Sequence, residues 1–204
     1  MRSRSNALYA IAIFVLACCG AGDFPGSVCR ASEVRILVSV ADQRMVLWQD
    51  GAEISRFPIS TSRFGLGDRW GSYATPLGSL EVAAKIGQSV REGTVFKERR
   101  PTGEVLPPNA PGRDPIVTRI LWLRGLEAQN HNSYARFIYI HGTPEEKLLG
   151  KPVSWGCIRM ASKDVVKVFE AIDVGARVEI LNKPLKVLIK EHAASDRLAQ
   201  VFRD

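Results

Sequence analysis

The sequence predicts a mainly β domain, and three observations carry that prediction. The apolar runs are short and rich in Val, Ile and Leu; 17 Gly and 11 Pro punctuate them; and only one stretch before the C-terminal tail keeps a helical apolar period. With 204 residues and 46% apolar content the chain can bury a real core. A wholly disordered protein is thereby excluded.

The elements follow in order. Val34 to Val38 is a strand, Ala41-Asp42-Gln43 a turn, and Met45 to Trp48 a second strand. Asp50-Gly51 is a hairpin dipeptide, because Gly accepts the positive φ that a tight turn needs, and Glu53 to Ser60 returns as the third strand of a meander. A polar, Gly-rich stretch from Ser62 to Ala74 leads through Thr75-Pro76-Leu77-Gly78 to a strand over Ser79 to Ile86. Gly87 to Asp114 has no apolar period and reads as a long functional loop. Ile116 to Leu123 and Arg136 to His141 are further strands. Ser162 is placed as the N-cap of a helix with Val165, Val168, Phe169 and Ile172 on one face and Gly175 at its end. Arg177 to Leu181 is the last strand, and residues 183–204 form a tail that is partly a polar helix.

Ahead of the domain, Arg2 and Arg4 precede the apolar run Ala7 to Ala17, which is the pattern of an export signal and too short to span a bilayer. Residues 1–21 are thus read as a leader, 22–33 as a flexible linker and 34–182 as the domain. Two cleavage modes fit equally well. Val15-Leu16-Ala17-Cys18 is similar to a lipobox, which would anchor the protein to the membrane through a lipid on Cys18, and small residues around Ala21 suit ordinary cleavage. Either way the location is the periplasm or cell envelope.

Cys29 and Cys157 are the cysteines left to the mature chain, too few for a disulfide scaffold, so a thiol retained in an exported protein hints at chemistry. The formal charge of +7 becomes +5 when Arg2 and Arg4 leave with the leader. That is read as solvated surface, since no basic stripe interleaved with aromatics points to nucleic acid. No metal-ligand cluster and no phosphate-cradling loop is present, so no cofactor is expected.

The informative stretch is Ile140-His141-Gly142-Thr143 followed, after a loop, by Ser154-Trp155-Gly156-Cys157-Ile158-Arg159-Met160. A thiol attacks only as thiolate, and a neighbouring imidazole can take its proton. Alternation over Arg136 to His141 places Phe137, Tyr139 and His141 on one strand face, with Ile138 and Ile140 on the other. Gly156 lets substrate come close and lets amides point inward. His131 and His192, the other two histidines, have no motif around them.

These motifs resemble the YkuD-type L,D-transpeptidase catalytic domain, whose signature is a His-Gly pair, a loop, and Ser/Thr-His-Gly-Cys followed by an apolar residue and Arg or Asn. Phe57-Pro58-Ile59-Ser60-Thr61 and Thr75-Pro76-Leu77-Gly78 extend the likeness upstream, so that it covers Val34 to Leu181. The resemblance implies a β-sandwich or barrel with one or two short helices and peptidoglycan stem peptides as substrate; a monomer is expected, though the sequence itself does not reveal the oligomeric state. Cys157 would be the acylated nucleophile, His141 the base and the Gly142 carbonyl its orienting partner. Amides near Trp155, Gly156 and Cys157 would bind the oxyanion. Arg159 would sit by the substrate, with Ser154, Tyr139 and Thr143 as further binding candidates. Trp155 stands where the family has His, and is read as a platform for substrate. Water could also resolve the acyl-enzyme, giving a carboxypeptidase or cross-link hydrolase, and a non-catalytic cell-wall-binding module is the reading from another class.

Overall fold

The computed structural model describes residues 33–202, and the expected leader, the linker, Cys18 and Cys29 lie outside them. The meander forms as expected: β1 (Arg35–Ser39), β2 (Arg44–Gln49) and β3 (Ala52–Pro58) run antiparallel, with Asp50 and Gly51 at φ 51° and 79° in the turn. Period-2 alternation sorts the side chains. Ile36, Val38, Met45 and Leu47 enter the main core, while Leu37, Val46 and Trp48 face the other side.

Then come β4 (Gly78–Ile86), β5 (Thr94–Lys97), β6 (Arg100–Val105), β7 (Val117–Gly125), β8 (Tyr139–Gly142) and β9 (Ile158–Met160). Helix α1 (Ser162–Ala171), β10 (Arg177–Leu181) and helix α2 (Leu185–Val201) complete the described chain. The strands form one sheet in the order β3-β2-β1-β10-β4-β7-β5-β6, with β8 also on β7 and β9 on β8. Two pairs are parallel, β1 with β10 and β8 with β9.

The segment after β3 closes this path on itself. Ser60 and Arg159 exchange two backbone hydrogen bonds, of 3.0 and 2.9 Å, and the Ser154 N–H donates to the Thr61 carbonyl at 2.9 Å. The strand bearing the Cys157 motif is therefore paired along both edges. The expected β-sandwich or barrel with few helices is what forms, with Val165, Val168 and Phe169 of α1 and Ile172 just after it sealing the main core.

Four local expectations need correction. Gly87 to Asp114 is not all loop: it contains the β5–β6 hairpin, which alternation could not reveal because every residue of β6 is exposed. The strand expected from Arg136 begins at Tyr139, because the Arg136 guanidinium is drawn back to the 67–74 segment and Phe137 adopts φ 59°. Ser162 is the first helical residue and Ala161 the N-cap; the Glu146 carboxylate, from a distant turn, accepts the Ser162 N–H at 2.9 Å. Helix α1 stops at Ala171, so Gly175, at φ 93°, belongs to the turn into β10. The tail residues form more than a polar helix. Leu185, Ile189 and Ala193 of α2 cover Leu37, Val46 and Trp48, and the Trp48 indole donates to Asp196 at 2.7 Å.

Candidate active site

Strands β8 and β9 bring the His-Gly and Gly-Cys motifs side by side. His141 is level with Arg159 and Ile140 with Ile158 in the parallel register, so one step back Tyr139 is level with Cys157. Residues two apart share a face, which puts Tyr139, His141, Cys157 and Arg159 together and sends Ile138, Ile140 and Ile158 into the core. Cys157 and His141 thus lie one diagonal step apart on neighbouring strands.

The ring of His141 is 5% exposed, and its Nδ1 is 2.8 Å from the Gly142 carbonyl oxygen. A carbonyl only accepts, so Nδ1 carries the proton and Nε2 keeps its lone pair. Burial drives the imidazole down to about 4, against the smaller upward pull of that carbonyl. Gly142 could be no other residue: a Cβ there would lie 2.6 Å from the Val117 carbonyl oxygen.

Cys157 is a free thiol. Its Sγ–H donates to the Phe137 carbonyl at 3.4 Å. Burial pushes the thiol up to about 11, opposed by the Tyr139 N–H and, more weakly, by the positive charge of Arg136. At neutral pH the resting pair is therefore thiol and neutral imidazole. Gly156, at φ 116°, packs with its Cα side 3.3 Å from the Tyr73 and Ala74 carbonyls, measured to where a Cβ would stand.

Hydroxyls fix the loop that carries Cys157. Ser154 Oγ donates to the Cys157 carbonyl at 2.6 Å and accepts the Gly156 N–H at 3.3 Å, while Thr75 Oγ1 donates to the Gly156 carbonyl at 3.0 Å. Ser154 is 2% exposed and shapes the loop from inside. Thr143 is buried and donates to Asp114. Arg159 is buried too, and its Nη1 pairs with Asp114 and, at 3.0 Å, with Glu145, whereas Nε and Nη2 have no hydrogen-bond partner among the described residues. Trp155 is 59% exposed, with Phe64 and Tyr73 at 4.9 and 5.3 Å between ring centroids and Arg63 over its face.

His131 and His192 lie elsewhere. His131 Nδ1 meets the Ala128 carbonyl in a turn, and His192 of α2 sits by Trp48 and Glu179.

A protein-family model of the L,D-transpeptidase catalytic domain matches residues 33–180. The chain belongs to that family. Among curated relatives, "Probable L,D-transpeptidase YcfS" of Escherichia coli K12 is 27% identical over 172 residues, which is 82% of this chain and 49% of that protein. "Probable L,D-transpeptidase YbiS" of the same strain is 35% identical over 91 residues, 44% of this chain and 26% of that protein. The chain spans about half the length, or less, of these relatives. A solved L,D-transpeptidase from Mycobacterium smegmatis is 17% identical, with a TM-score of 0.47 over 74% of this chain and 59% of that one.

Three parts of this site within the family's domain escaped the sequence. The Arg136–Asp68 ion pair, with side chains 5% and 3% exposed, ties the turn before β8 to the Gly-rich segment. Asp68 also accepts from the Asn132 N–H at 2.6 Å and from Ser133. Asp114 and Glu145 hold Arg159, and Arg99 of the β5–β6 turn reaches Tyr139. An acid alone in a Gly-rich stretch was the only available signal, and it named no partner.

Proposed function

We propose that the protein is an exported cysteine acyltransferase that performs L,D-transpeptidation on peptidoglycan stem peptides through a Cys157 acyl-enzyme. The carrying observation is the parallel β8–β9 register, which sets the Cys157 thiol diagonal to a His141 whose Nδ1 is already committed to the Gly142 carbonyl. His141 Nε2 takes the thiol proton as sulfur bonds to the donor carbonyl, so the charged pair exists only during attack. That order suits a buried imidazole and a half-buried thiol, neither of which ionises readily at rest.

Backbone amides of the Trp155–Cys157 loop receive the oxyanion, with the Gly156 N–H leaving its long 3.3 Å bond to Ser154 to do so. Imidazolium then returns its proton to the departing amine of the terminal D-amino acid as the carbonyl–nitrogen bond breaks. An acceptor amine attacks the thioester, passes a proton back through His141, and frees the thiol. Arg159, buried and paired with Asp114 and Glu145, braces the site from within, and Trp155 with Phe64 and Tyr73 offers the substrate an exposed cluster of mutually tilted rings.

The test is mass analysis of a tetrapeptide stem and an acceptor amine incubated with the mature protein. A cross-linked product and a thioester on Cys157 are expected, and Cys157→Ala loses both. Undiminished cross-linking by that variant would overturn the mechanism.

A further inference from the structure

The β5–β6 hairpin places a guanidinium on the aromatic residues that adjoin Cys157, and its own turn is strained. Glu98 and Arg99 form the two-residue connection between Lys97 and Arg100, both with positive φ (50° and 65°) and neither of them Gly, Asn or Asp. Left-handed backbone at such residues costs on the order of 1 kcal/mol or more each, so the surroundings must hold it.

What holds it is an aromatic box. The Arg99 guanidinium lies 4.9 Å from the Trp122 ring centroid and 5.0 Å from that of Phe137, and its Nη1 donates to the Tyr139 hydroxyl at 3.4 Å. The box is braced in turn: Trp122 stacks on Tyr134 at 4.1 Å and 8°, meets Tyr139 edge-on at 5.6 Å, and donates its indole N–H to the Tyr134 carbonyl.

This box borders the thiol. Cys157 packs in the same cluster as Tyr139 and Trp122, and its Sγ–H donates to the carbonyl of Phe137, the residue whose ring lies beneath Arg99. Among the described residues no carboxylate pairs with Arg99. Of its five N–H donors one makes a single long bond to a phenol, so the planar fork that suits a bidentate carboxylate remains open one layer of side chains from Cys157.

We infer that Arg99, pre-oriented by Trp122, Phe137 and Tyr139, binds a carboxylate of the acyl donor and thereby sets donor specificity. The inference rests on the reading of Cys157 as the acylated group. Ring faces position the cation without neutralising it, so a carboxylate arriving there replaces water rather than an internal ion pair.

The experiment measures peptide binding and turnover for wild type, Arg99→Met and Arg99→Lys. The ligands are a tetrapeptide stem with free carboxylates and versions amidated at one carboxylate at a time. One amidation is expected to weaken wild-type binding about tenfold and to leave Arg99→Met unchanged, with Arg99→Lys between them. The same alkylation rate of Cys157 by neutral iodoacetamide in all three proteins verifies an intact site. If every amidation weakens wild type and Arg99→Met equally, or if none of the peptides binds, the inference is overturned. Coupling seen in binding without any turnover keeps Arg99 as the carboxylate site and removes the transpeptidase reading instead.

Discussion

The two sides of the sheet are built differently. Around β1, β2, β3 and β10 the alternation is regular, left-handed residues such as Gln43 and Asp50 sit in turns, and an ion pair such as Arg56–Glu53 is exposed and worth little. Around β7, β8 and β9, Thr118 is left-handed inside a strand at φ 72°, Phe137 is left-handed just before one, and Arg136–Asp68 is buried. A β-branched residue at positive φ is held only by its neighbours, here Ser162, which accepts from Thr118 Oγ1 at 2.8 Å, and the Gly93 N–H, which donates to it. Irregular backbone and buried charge thus gather where a thiol and an imidazole must be fixed, and the regular side supplies the burial that tolerates them.

The largest effect that sharpens this contrast is expected at His141. His141→Gln should lower turnover by about 10²- to 10⁴-fold, as general acid–base catalysis is usually worth, while His131→Gln and His192→Gln leave it near wild type. Steady-state kinetics decides, and equal losses in all three would remove the assignment.

A paired substitution compares the two sides directly. Arg136→Met leaves Asp68 buried without its partner and should cost about 3–5 kcal/mol of stability. It also frees the turn bearing the Phe137 carbonyl, so Cys157 alkylation should change. Leu47→Ala, in the core of the regular side, should cost about 2–5 kcal/mol while kcat stays unchanged. Denaturant unfolding with alkylation rates separates the two, and an equal effect on the thiol would erase the distinction.

The mildest test is pH. His141 falls from 6.5 to about 4 in the folded state, so the unfolded chain binds its proton first on acidification, and up to about 3 kcal/mol of stability is lost as pH drops from 6.5 to 4. Cys157 rises from 9.0 to about 11, so stability is lost in the opposite direction, as pH climbs from 9 to 11. Alkylation of Cys157 should then increase about tenfold per unit between pH 7 and 10. A plateau in that range would show a thiolate already formed at rest.

The same contrast explains what the sequence disclosed. On the regular side Ile36, Leu37, Val38 and Met45 to Trp48 announce their faces by alternation, and Asp50-Gly51 announces its turn, so strands and order are legible. The Cys157 and His141 motifs are legible because they are short runs of the family's signature, and the family's domain is what the chain matches. Arg99, Asp68 and Asp114 are not, since each reaches its partner across 30 or more residues (Tyr139, Arg136 and Arg159). The β5–β6 hairpin hides for another reason: β6 buries nothing, and its turn lacks glycine.

The closure of the sheet has a kinetic consequence. Strand β1 pairs with β2 at once, but its other edge waits for β10, joined Ile36 to Val178, and Ser60 waits for Arg159, so the sheet closes only when the last strands of the domain have been made. Contacts of such sequence separation make folding slow. Closure of the domain should therefore be its slow step, and Cys157 should come level with the strand that carries His141 only once β9 has docked on β8.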